Sequence, residues 1–113
     1  KSPVYFDNEV NLQKCVKRLI FGKCFNGGQT CVAPDYCLVH AEIWDQLVSC
    51  VKTVVQAFYG ESATVNDNLT RIINKRHFDR ICNAIDTSGG EIIIQGNTCL
   101  QGKDSYGDFE SIT

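Results

Sequence analysis

The stretch FNGGQTCVAPDYC, residues 25–37, sets Cys31 behind two glycines, a glutamine and a threonine, and ends with a proline that leads into an apolar run. A nucleophilic thiol must be reachable and partly ionised. Neighbours without bulk, such as Gly27 and Gly28, let a carbonyl carbon approach both the sulfur and the adjacent backbone amides. Those amides could receive the oxyanion formed when the carbonyl is attacked. Taken as chemistry alone, the same pattern also fits a structural or incidental cysteine in a loop. No histidine is placed by sequence to serve as the base. A Cys-His arrangement would require His40 or His77 to meet Cys31 in space, and His77 reads as a residue of a helix face. Cys31, Cys37 and His40 could supply metal ligands, but Cys37 and His40 fall on a predicted strand, where a spacing of three points them to opposite faces. No metal site is expected.

The elements that would position Cys31 follow from periodicity. Pro3 to Phe6 is a short apolar run that suits a buried strand, with Asp7 and Asn8 as cap residues for the helix after it. Leu12, Cys15, Val16, Leu19 and Ile20 recur at helical spacing, and Gly22 marks the expected end, with Lys17, Arg18 and Lys23 suited to the negative end of the dipole. Tyr36 to Val39 reads as a second buried strand. Ala41 to Tyr59 is the clearest helix, with Trp44 expected in the core and Gly60 as the stop. Glu61 to Asn68 turns small and polar, as a surface connection does. Asn74 can cap a helix carrying Phe78, Ile81, Cys82 and Ile85, and Glu91 to Gln95 reads as a third strand. The tail from Gly96 is polar and weakly patterned. Strands alternating with helices imply parallel crossovers, so the expected class is α/β, an open and mostly parallel sheet with flanking helices.

The chain has 113 residues, enough for one domain with a modest core. Eleven basic residues against 13 acidic give a net charge of -2, so no electrostatic footprint for nucleic acid exists. The basic cluster Lys75, Arg76, His77 and Arg80 reads as a solvated helix face. There is no methionine, so the chain is expected to be an excised piece or a processed form rather than a complete primary translation product. No apolar run approaches the ~20 residues of a membrane span, and KSPVYFDNEV lacks signal-peptide anatomy. The seven cysteines show no C-x-x-C spacing and three fall on helical apolar stripes, which implies a reduced, intracellular and cytoplasmic chain; membrane association of its parent is left open. The sequon at Asn68 is short enough to arise by chance.

Beyond these readings, KSPVYFD, FGKCFNGGQTCVAPDYCLVH, AFYG and RIINKRHFDRI resemble consecutive landmarks of the aldehyde dehydrogenase superfamily, nearest its class 3, fatty-aldehyde type. The likeness runs from Lys1 to about Gly90 and weakens in the tail. Gly27 and Cys24 depart from it: serine or alanine is usual at the first and an aromatic residue common at the second.

The resemblance implies that Cys31 is the catalytic nucleophile, forming a thiohemiacetal with a small-molecule aldehyde and then a thioester, with NAD or NADP as hydride acceptor. The Cys31 amide would be half of the oxyanion hole, and Asn26, Gly28, Gln29 and Thr30 would hold the turn and support the oxyanion. KSP would continue a longer motif, E-L-G-G-K-S-P, whose glutamate is the general base. By the same resemblance residues 1–113 form a single partial catalytic, aldehyde-binding domain without the nucleotide-binding domain, and a homo-oligomer is plausible for the parent. A slice without its base and cofactor cradle is expected to be inactive alone. The alternative from another class is a truncated, non-catalytic α/β fragment acting as an interaction module through its exposed strand edges.

Overall fold

The computed structural model of the chain describes residues 1–60 and 70–94. The expected connection over 61–68 and the polar tail lie outside them. β1 (Ser2–Phe6) and β2 (Pro34–Val39) pair in parallel, joined by α1 (Leu12–Cys24). This is a βαβ unit, and it gives the α/β class expected from the alternation of patterns. After a short 3-10 turn over Ala41–Ile43 come α2 (Trp44–Tyr59) and then α3 (Lys75–Thr87).

The register is Ser2 to Pro34, Pro3 to Tyr36, Val4 to Cys37, Tyr5 to Leu38 and Phe6 to Val39. The step from Pro34 to Tyr36 leaves Asp35 unpaired, and its carboxylate meets the Lys1 ammonium at 3.5 Å. Partners in a parallel pair share a face, so Val4, Phe6 and Val39 look into the core while Pro3, Tyr5, Tyr36 and Leu38 look out. Both strands were expected to be buried. Only Phe6 is, because helices cover a single face of this two-stranded sheet among the described residues.

The core is where α1 and α2 pack on that face. Phe6, Val16, Ile20, Ile43, Leu47 and Val54 form one buried cluster, with Phe6 and Val16 completely enclosed. Enclosing each such side chain contributes roughly 1.5–3 kcal/mol. Val16 and Ile20, four apart, occupy one line of α1, as the helical spacing requires.

Four expectations need correction. The cap of α1 is Asn11, whose Oδ1 accepts from the Lys14 N–H at 3.0 Å. Asp7 instead closes a local turn by accepting from the Asn8 N–H. α1 runs through Gly22 to Cys24, and Gly22 lies where Pro34 packs on the helix: a Cβ there would be 3.5 Å from Pro34 Cδ. Trp44 is 46% exposed, because it opens α2 one position beyond buried Ile43, off the line that faces α1. Residues 91–94 form no strand, and Ile92, Ile93 and Ile94 are exposed, since a strand requires a partner edge and not apolar composition alone.

The Asn74 cap forms as expected, its Oδ1 accepting from the His77 N–H at 2.9 Å. The apolar stripe of α3 is nonetheless not enclosed: no residue of this helix is buried. No described helix is long and apolar enough to cross a membrane.

Candidate active site

Cys31 lies between the end of α1 and the start of β2. Beyond Cys24 the chain tightens into a 3-10 turn over Phe25–Gly28, with Asn26 at φ 52°, Gly27 at 64° and Gly28 at 75°. Three successive left-handed residues need an asparagine and glycines, which tolerate that region where other side chains cost 1–2 kcal/mol or so each. Two backbone bonds then shape the turn: the Gln29 N–H donates to the Asn26 carbonyl at 3.2 Å, and the Ala33 N–H to the Thr30 carbonyl at 3.0 Å. Cys31 and Val32 occupy the middle of the second, and both are exposed. The thiol is free and reachable.

Gln29 fixes this turn from outside. Its Nε2 donates to the Asn26 carbonyl at 2.9 Å and to the Arg71 carbonyl at 3.1 Å, while its Oε1 accepts from the Ile73 N–H at 2.8 Å. One side-chain amide thus supplies partners to two backbone groups of residues 70–74, which form no regular structure. Two of the stretches that carry the sequence resemblance, around Gln29 and around Ile73, are joined here. Gly27 makes room for the approach: a Cβ would stand 2.8 Å from the Thr70 carbonyl oxygen and 3.0 Å from Gln29 Nε2. Its departure from serine or alanine is therefore matched to its surroundings.

Behind the turn a cleft of about 370 Å³ is lined by Phe21, Cys24, Phe25, Asn26, Tyr59 and Thr70. The Tyr59 hydroxyl is pushed up to about 12, first by burial and then by its hydrogen bond with Cys24 and the charge that thiol would carry. Burial also pushes up the Cys37 thiol, on the inward face of β2. Neither cleft nor pair was visible in the sequence; the one available signal was Cys24 standing in place of an aromatic residue.

His40 does not join Cys31. It follows β2 at its other end, beyond six strand residues, a span of roughly 20 Å at about 3.3 Å per residue. There its Nδ1 accepts from the Glu42 N–H at 3.4 Å. His77 sits in the first turn of α3. No group of three metal-ligating side chains occurs among the described residues. Among the described residues, Cys15, Cys24, Cys31, Cys37 and Cys50 are free.

Comparison with known proteins gives the family. The model of the aldehyde dehydrogenase family matches residues 1–109. The chain is 43% identical over 98 residues to aldehyde dehydrogenase family 3 member A2 of Rattus norvegicus, covering 87% of this chain and 20% of that protein. It is 45% identical over 87 residues to the dimeric NADP-preferring aldehyde dehydrogenase of Mus musculus, covering 77% of this chain and 19% of the other. Among solved structures, the substrate-bound state of Staphylococcus aureus AldH superposes with a TM-score of 0.82 at 35% identity, over 87% of this chain and 21% of that one. The chain thus spans about a fifth of the length of these relatives. On sequence and structure alike, the chain belongs to the aldehyde dehydrogenase family.

Proposed function

We propose that the protein carrying this chain oxidises an aldehyde to a carboxylic acid and that Cys31 is its nucleophile. The observation that carries this reading is the exposed, free Cys31 at the middle of a turn held by Gln29, in a chain of this family. The Cys31 thiolate adds to the carbonyl carbon, a C–S bond forms, and the carbonyl π pair moves to oxygen. The Cys31 backbone N–H takes no part in either turn bond and serves as one donor to that oxyanion. Water later adds to the thioester carbon, the C–S bond breaks, and thiolate and acid are released.

Between those steps the adduct must lose hydride, and the acceptor assigned by family is NAD or NADP. The connection that follows β1 does not fit it. The β1–α1 connection, Asp7 to Asn11, has no glycine to bring backbone close to a pyrophosphate. It carries two carboxylates, and Asn11 already caps the helix. Cofactor binding is therefore assigned to a separate domain of the whole protein, and residues 1–113 to part of its catalytic domain. Parallel pairing sets Ser2 beside Pro34, three residues beyond Cys31, and so places Lys1 at the end of the sheet where the Cys31 turn enters. A glutamate just before Lys1 would approach the thiol from that side and act as general base.

In the full-length protein, aldehyde-dependent reduction of NAD+ or NADP+ should occur and should vanish in Cys31→Ala. Turnover that survives this substitution would remove Cys31 from the chemistry. A second reading, that the chain works as a non-catalytic interaction module, is favoured by the outward sheet face, where Tyr5, Tyr36 and Leu38 are 66%, 50% and 56% exposed. A strictly monomeric chain by light scattering that binds no apolar dye would count against it.

A further inference from the structure

We infer that Gln29 is a positioning residue that couples the Cys31 turn to the 70–73 segment, making that distant stretch a strut of the nucleophile. The inference rests on the reading of Cys31 given above. Three observations carry it. The Gln29 amide makes three hydrogen bonds: one returns to Asn26 within its own turn, and two reach Arg71 and Ile73, 42 and 44 residues away. The approach is close enough that Gly27 has no room for a Cβ against the Thr70 carbonyl. The joined segment leads directly into the Asn74 cap of α3, a helix with no buried residue of its own. The strut therefore anchors the turn to α3 and α3 to the turn.

The chemistry of the amide makes the inference specific. Gln29 is donor to two carbonyls and acceptor from one N–H, a combination neither an apolar side chain nor a carboxylate reproduces. Gln29→Met keeps the shape and loses all three bonds. Gln29→Glu keeps the acceptor for the Ile73 N–H, but when ionised it sets a carboxylate against the Asn26 and Arg71 carbonyl oxygens. Protonation restores one donor. The two carbonyls favour the neutral acid, so this variant should regain order as pH falls toward and below its raised carboxyl pKa, from a reference of about 4.3.

The test uses the full-length protein, with hydrogen exchange followed by mass spectrometry and steady-state kinetics side by side. Gln29→Met should speed exchange in peptides covering 70–74 and 29–34 by about tenfold or more, as loss of more than one hydrogen bond implies, and leave the α2 peptide 44–59 unchanged. The kcat for aldehyde oxidation should fall about tenfold or more with a smaller change in KM. Measured against wild type at the same pH, Gln29→Glu should show the same exchange defect at pH 8 and lose it at pH 5, whereas the defect of Gln29→Met should persist at both. Unchanged exchange in both peptides of Gln29→Met would overturn the coupling itself. Faster exchange with unchanged kcat would confine Gln29 to a structural role and overturn the positioning claim. Neither result touches the role of Cys31, which stands or falls on the Cys31→Ala variant.

Discussion

Replacing Gly27 by alanine tests the turn most sharply, because the structure supplies two separate costs and a control for one of them. At φ 64° a Cβ meets the following backbone, which costs about 1–2 kcal/mol. The same Cβ would lie 2.8 Å from the Thr70 carbonyl oxygen, so residues 70–73 must retreat. Retreat stretches the Gln29 bonds to Arg71 and Ile73, exposed bonds whose loss adds about 0.5–1 kcal/mol apiece. Together Gly27→Ala should destabilise by roughly 2–4 kcal/mol. Gly89 has a similar φ of 67° but open space where its Cβ would go, so Gly89→Ala reports the backbone cost alone, about 1–2 kcal/mol. Urea unfolding followed through Trp44, the only tryptophan in the chain, gives both numbers. Equal losses in the two variants would refute the contact between Gly27 and the 70–73 segment.

Two further outcomes follow from the core and from the Tyr59 pair. Val16 is fully enclosed, so Val16→Ala should cost about 2–3 kcal/mol in the same unfolding assay, whereas Ile85→Ala, at a site 40% exposed on α3, should cost less than about 1 kcal/mol. Tyr59 titrates near 12 in the fold against about 10 unfolded, so above pH 10 the unfolded chain gives up a proton that the folded chain keeps. Stability should therefore hold below pH 10 and decline as pH rises toward 12, and Tyr59→Phe should flatten that decline in alkaline denaturation.

What could be read in the sequence was local. The lines of Val16 and Ile20 on α1 and of Ile43, Leu47 and Val54 on the following segment needed only a helical period. The Asn74 cap needed only the residue and the pattern behind it. Trp44 misled because the apolar arc of α2 is wider than the surface α1 can cover, so composition says which side faces inward but not how deep each residue lies. Ile92 to Ile94 misled because pairing is a property of two segments, only one of which the local pattern describes. At the site, the glycines and the exposed thiol were legible as a permissive turn, and the resemblance supplied Cys31. The links from Gln29 to Arg71 and Ile73 were not, because they join residues more than 40 apart through backbone atoms, which every residue carries alike.

The central claim is that carbon–sulfur bond formation takes place at Cys31. It is tested most directly by mixing the full-length protein with an aldehyde and NAD+ or NADP+, quenching in acid within the first turnover, and mapping acyl adducts by peptide mass spectrometry. The account predicts an acyl mass on the peptide containing Cys31 and on none of the other six cysteines of this chain. An adduct on another residue, or full turnover with no adduct at Cys31, would contradict it.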